Sequence, residues 1–295
     1  MSTNPDRPLG PIRGLIAAIG AVFIAGLIRV FGRTVRESSA TWLSGPVGSD
    51  YIGDTPYEEL AAHENLELVR RASTGGLIPD FGALDGPGFP VDRLRPEVRH
   101  FYEHTAAYRM DVWSETFFPG NIGLWLLVTT ISRKVDQLNF PLHALAAAKG
   151  IDSEIVHLKT RDGHVRYAGW YRRLMGTGRT IYTGFYMTDR VPHCDTHCVK
   201  VVFPMPNGNA TVILRPSVDD RGHLRLSSRG RRFGDAGFYR VRKLSDDRLR
   251  VWKVSTLHEE FRVYVDDESL LRCDHQVRFL GMPILHLHYR IERKK

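Results

Sequence analysis

The stretch VKVVFPMPNGNATVILRP, residues 199–216, decides the fold. Two β-branched, apolar runs flank Asn207-Gly208-Asn209, residues suited to the positive backbone angles of a tight turn, and this is the strongest short-range hairpin signal in the chain. Upstream, SEIVHLKT and HVRYAGWYRRL flank Arg161-Asp162-Gly163 in the same manner, and TIYTGFYMTDR follows. Downstream come HLRLSSRG, FYRVRKL, RLRVWKVS, EEFRVYVD, LLRCDHQVRFL and ILHLHYRIER, joined by turns such as DDRG, SDD and DDE. Strands this closely spaced, with no long helix between them, pair antiparallel rather than as βαβ units. The expected fold is α+β, mainly antiparallel β: a curved sheet or barrel of about ten strands with N-terminal helices packed against it.

Three regions follow from texture: an apolar N-terminal helix (1–36), an irregular and helical wrapping segment (37–150) and the antiparallel β domain (151–295). In the wrapping segment, Thr55-Pro56-Tyr57-Glu58 reads as a capping box opening a helix through EELAAHENLELVRRAS. A second helix is expected from Pro96 to about Met110, with Val98, Phe101, Tyr102, Thr105 and Arg109 on one face. His100 and His104 fall together on the other side, where two partly exposed histidines are a plainer reading than a metal pair.

From Gly14 to Ile28 there is no charge, and Arg13 and Arg29 frame the run. Fifteen helical residues reach about 22 Å, short of the roughly 30 Å hydrocarbon core. Adding Ile12, Val30 and Phe31, with the arginines snorkelling outward, brings the run to about 20 residues. It is expected to anchor the chain in a membrane; burial within the protein or a dimer is the alternative. A cleaved signal peptide fits poorly, because Ser38-Ser39-Ala40 lies beyond Arg29, Arg33 and Arg36. The arginines after the run outnumber those before it, favouring the bulk of the chain on the cytoplasmic side. Ile122–Ile131 is a second apolar run, too short to span, suited to an interface or a buried core.

The net charge of +8 is unevenly distributed. Residues 151–295 hold 27 basic and 17 acidic side chains, against 14 and 16 in residues 1–150. Three cysteines exclude a disulfide scaffold and point to free thiols.

The order of elements from Leu94 onward, RPEVRHFYEH, then LNFPL, a run of strands and FLGMPILHLHYRI, resembles a bacterial domain of unknown function. That domain occurs alone or behind dinucleotide-binding domains of epimerase-like or saccharopine-dehydrogenase-like type. The resemblance covers about two-thirds of the chain and bears on fold class. It carries over no catalytic residues, and this chain has no GxGxxG after a strand.

Three constellations could carry chemistry. His193, Cys194, His197 and Cys198 offer zinc-type ligands within six residues, although the spacing lacks a finger's second pair; no other cofactor is expected. Arg229, Arg231, Arg232, Asp235 and Arg240 form a glycine-broken basic region suited to a ligand or anion, or simply a solvated connection. Glu260, Asp274 and His288 fall on alternating faces of the last strands and would supply acid–base chemistry if those faces were enclosed, or would be ordinary outward residues if not. The leading expectation is a membrane-associated β domain binding a small apolar or lipid-like ligand beside anionic headgroups. An enzyme of hydrolase or isomerase type with an acid/His pocket inside the β domain is the alternative, and a zinc-binding protein a third reading. Nucleic acid is not expected as a partner, since no recognised module accompanies the charge.

Overall fold

The computed structural model describes residues 22, 26–49, 52–118, 150–176 and 178–294. Most of the Gly14–Ile28 run and all of Ile122–Ile131 lie outside the described residues. Among the described residues no helix is long and apolar enough to cross a membrane, which says nothing of crossing by strands.

Among the described residues, fourteen antiparallel strands make one open sheet. Three come from before residue 150: β1 (Arg33–Arg36), β2 (Glu67–Val69) and β3 (Tyr108–Thr116). The remainder are β4 (Ile151–Lys159), β5 (Val165–Leu174), β6 (Thr180–Asp189), β7 (Cys198–Met205), β8 (Gly208–Val218), β9 (Leu224–Ser227), β10 (Gly237–Ser245), β11 (Arg248–Lys253), β12 (Leu257–Val265), β13 (Leu271–Phe279) and β14 (Met282–Arg293). Antiparallel β is thus as expected, but the sheet curves without closing into a barrel, and β1, β2 and β3 extend its edges.

Strand β8 is the branch point. One side of it, over Gly208–Leu214, pairs with β7, continuing to β6, β5, β4 and β2. Its other side is shared: Gly208–Ile213 pairs with β10, which leads to β11 and β1, whereas Arg215–Val218 pairs with β9, which leads to β12, β13, β14 and β3. The β9–β12–β13–β14 leaf thereby faces the β5–β8 leaf across one core. Trp170, Tyr182, Val212 and Leu214 contribute from one side, Leu226, Val263, Cys273 and Ile291 from the other. Leu77, Phe81, Phe101 and Tyr102 of the wrapping segment close the gap. Each fully buried side chain of this kind contributes roughly 1.5–3 kcal/mol.

Two helices of the wrapping segment are shorter than their sequence patterns suggested. Helix α1 spans Thr55–Glu64 and ends at Asn65, which adopts the left-handed conformation. The capping box does not form: the Thr55 hydroxyl donates to the Ile52 carbonyl at 2.9 Å, and Glu58 pairs with Arg70 at 3.3 Å. Helix α2 spans Pro96–Glu103 rather than reaching Met110. The Thr105 hydroxyl donates to the Phe101 carbonyl at 2.8 Å, and a 3₁₀ turn at Thr105–Ala107 redirects the chain into β3.

Candidate functional site

Strand alternation decides what the two leaves enclose. On β13, Leu271, Cys273 and His275 are buried; on β12, Glu259, Phe261 and Val263 share their face through direct cross-strand pairing. Between the leaves lies a cavity of ≈ 230 Å³, lined mainly by apolar side chains such as Val201, Val212, Leu214, Leu226, Phe238 and Phe261. Its volume falls just under the roughly 300–1,000 Å³ of most small-molecule sites.

A few polar groups interrupt this lining. Glu259 Oε2 and His275 Nε2 are 3.2 Å apart, and the imidazole stacks on Phe261 with ring centroids 3.8 Å apart. Tyr182, Tyr186 and Tyr289 also line the cavity. Burial pushes the Tyr182 and Tyr186 phenols well above their usual range and raises that of Tyr289, which favours the protonated form of each. Behind them, Arg172 is only 3% exposed. Its guanidinium carbon lies 5.1 Å from the Trp170 ring, 5.9 Å from Tyr182 and 5.7 Å from Tyr289. It donates to the Tyr182 and Tyr289 hydroxyl oxygens, but its Nε has no partner, and among the described residues no carboxylate forms an ion pair with it.

The opposite face of the same strands is polar. Trp113, Tyr264, Asp266, Arg272, Asp274 and His288 line a groove of ≈ 280 Å³. His288 Nδ1 sits 2.8 Å from Asp274 Oδ1. Glu260 shares this outer face but pairs with Arg225 at 3.6 Å and does not line the groove. Two of the three acid–base candidates are therefore brought together, on the outward side of the sheet. The inward acid and histidine are one register over, Glu259 and His275. Cys273 and His275 stand out in the sequence as same-face neighbours, but the chain alone does not say that this face is the enclosed one.

In the basic region, Arg229, Arg231 and Arg232 are exposed. The Asp235 carboxylate accepts the backbone N–H groups of Arg231 and Arg232 at 2.8 and 2.7 Å. Arg240 turns inward instead, donating to the carbonyls of Asn209 and Pro206, so its guanidinium is already satisfied by the fold. Burial and the neighbouring charge of Arg242 push it down to about 10.

A second basic surface was not singled out from sequence. β1 pairs Arg36 with Arg248, and β10 pairs Arg242 with Arg250 on the same face of the sheet. Arg36, Arg242 and Arg248 are exposed. Arg250 donates to the carbonyls of Ile28 and Arg29, at the end of helical residues 26–31, as a cation capping orphan carbonyls does. Val30 and Phe31 beside it are 72% and 65% exposed.

At the 193–198 cluster, Cys194 and Cys198 share a thiol hydrogen bond, and Arg215 lies 3.4 Å from Cys194 Sγ. These contacts lower the Cys194 thiol to about 6, while the same bond and burial push Cys198 up. His193 and His197 do not converge with the thiols into a ligand set. Among the described residues, the metal-capable set that converges is Glu115, His286 and His288.

Fold and site together define a mainly antiparallel β protein with an apolar cavity between its leaves on one face of the last strands and a polar groove on the other. The chain is similar, at 27% identity over 296 residues, to the Uncharacterized membrane protein YndJ of Bacillus subtilis (strain 168). The alignment covers 95% of this chain and 49% of that protein, so the chain spans about half the length of its relative. The similarity lends nothing to a fused dinucleotide-binding domain. No protein-family model matches the sequence, and no solved structure matches it.

Proposed function

We propose that this chain is a membrane-associated β protein that holds a small, anionic, single-chain amphiphile between the two leaves of its sheet. The observation that carries the reading is the apolar cavity backed by Arg172, a buried guanidinium without a carboxylate. Burying an unpaired charge costs several kcal/mol even after relaxation, and aromatic faces offset only part of that. A carboxylate or phosphate head reaching past Tyr182 and Tyr289 would supply the missing counter-charge. The apolar lining suits the tail, and the small volume favours one chain over the two of a phospholipid.

Membrane association draws support from the exposed Val30 and Phe31, from the arginine face of β1, β11 and β10 beside them, and from the name of the relative. Like charges directly opposite across strands repel, so Arg36 with Arg248 and Arg242 with Arg250 favour an anionic partner such as lipid headgroups. The charge bias at the N-terminal arginines is consistent with the sheet lying on the cytoplasmic side.

Calorimetric titration of the full-length protein with laurate tests the reading. Saturable binding of one laurate per chain is expected. Absence of any saturable heat below the solubility limit would count against it.

One observation favours a second reading, an enzyme of hydrolase or isomerase type. The Glu259–His275 pair lies inside the cavity, where a bound ligand would meet an acid and an imidazole together. Chemical change of a bound ligand, lost in Glu259→Gln, would distinguish this from simple carriage.

A further inference from the structure

On the outward face, β14 carries His286-Leu287-His288, and a strand's period of two puts both imidazoles on the same side. The antiparallel register of β3 sets Glu115 directly opposite His286. The candidate ligand atoms of Glu115, His286 and His288 all lie within 4.8 Å of one another, and His288 Nε2 is 4.0 Å from Glu115 Oε2. The two rings sit with centroids 4.0 Å apart.

We infer that this face binds a divalent metal ion of the zinc class through Glu115, His286 and His288. Zinc bonds of 2.0–2.1 Å to nitrogen and oxygen in a tetrahedron set the ligand atoms about 3.3 Å apart. The closure required is under about 1.5 Å, which side-chain torsions can supply on a half-exposed surface. Two features of the apoprotein are those of a ligand set. Asp274 accepts from His288 Nδ1 at 2.8 Å, which fixes the tautomer and leaves the Nε2 lone pair on the Glu115 side. His286 Nε2 is shielded from solvent and has no hydrogen-bond partner, a deficit that coordination would fill. Two imidazoles and one carboxylate suit zinc and related transition ions, whereas magnesium and calcium favour oxygen alone. Three protein ligands leave a coordination position open, as in catalytic rather than structural zinc sites. Asp274 is a positioning residue here, because it acts through His288 and does not reach the ion.

The experiment is metal analysis of the full-length protein, stripped with a chelator, exposed to Zn²⁺ and dialysed. One equivalent of zinc is expected in the wild type and none in His286→Ala or His288→Ala. Asp274→Asn should retain the site with affinity weakened about 10- to 100-fold. Cys194→Ser should keep the full equivalent. The absorption of Co²⁺ bound in place of Zn²⁺ should carry the intensity of tetrahedral coordination and vanish in Glu115→Gln, an exposed change on an edge strand that spares the fold. A wild type that retains no zinc would overturn the inference. So would zinc that survives loss of both histidines, or that departs with Cys194, which would assign it to the 193–198 loop instead.

Discussion

Cys194 is the residue whose chemistry is most sharply set by its neighbours. The Cys198 thiol and the Arg215 guanidinium both favour its thiolate, whereas the bond to Cys194 and burial push Cys198 up, and burial pushes Cys273 up. A thiol with its pKa near 6 is mainly thiolate at pH 7 and loses that form as pH falls through 6. Iodoacetamide at pH 7 is therefore expected to label Cys194 first, with a rate that drops below pH 6 and slows in Arg215→Ala. Peptide mapping by mass spectrometry checks this, and prior labelling of Cys198 or Cys273 would contradict it. At this scale the sequence showed which residues could react and seldom where they point. YAGWYRRL puts Trp170 and Arg172 on one face and Tyr171 and Arg173 on the other by period two. Nothing local tells which arginine goes inside. Arg173 stays out by pairing with Asp152 at 2.7 Å, a partner one strand away, and Arg172 is left to the core.

Among the elements, the hairpin of β7 and β8 shows how a correct reading can rest on the wrong residue. Asn207 takes the left-handed conformation at φ 58°, and Met205 pairs with Gly208, so the turn is centred on Pro206 and Asn207. Gly208 already belongs to β8. A side chain there would bring its Cβ to 2.0 Å from the Val241 carbonyl oxygen of β10. The glycine is needed for the approach of β10, which makes β8 the branch point of the sheet. Gly208→Ala should cost about 1–3 kcal/mol and lower the melting temperature by several degrees. Gly88→Ala, whose Cβ would meet only Thr196 Cγ2 at 3.7 Å, should leave it almost unchanged. Equal melting temperatures in the two variants would remove this role from Gly208. The strands from β4 onward were legible because alternation and turn residues are local signals. The branch at β8, the edge strands β1 to β3 and the inward face of β12 to β14 were not, because each depends on partners far away in sequence. Helix α2 stopped early for a local reason that periodicity ignores, the side-chain bond of Thr105 back to Phe101.

For the whole molecule, the excess of positive charge in residues 151–295 resolves into surfaces with different roles. Arg240 and Arg250 serve the fold through backbone carbonyls, Arg172 is buried in the core, and Arg242 and Arg248 face outward beside the end of the apolar run, joined there by Arg36 of β1. Each cation near an anionic bilayer contributes on the order of 1 kcal/mol. Replacing Arg36, Arg242 and Arg248 with Gln should thus reduce the protein's preference for phosphatidylserine over phosphatidylcholine vesicles by about 100-fold, or about 3 kcal/mol. Flotation with the two vesicle types measures the preference; an undiminished one would place the contact elsewhere.

The central claim is that the cavity holds a single anionic amphiphile with Arg172 behind its head, and native mass spectrometry with laurate tests it most directly. One bound laurate per chain is predicted for the wild type. None is predicted for Leu226→Trp, which fills the cavity, nor for Arg172→Met. The Met variant should melt no lower than the wild type without ligand, since an unpaired buried charge has been replaced by an apolar side chain. Laurate bound in equal amount to all three folded proteins, or to none, would contradict the account.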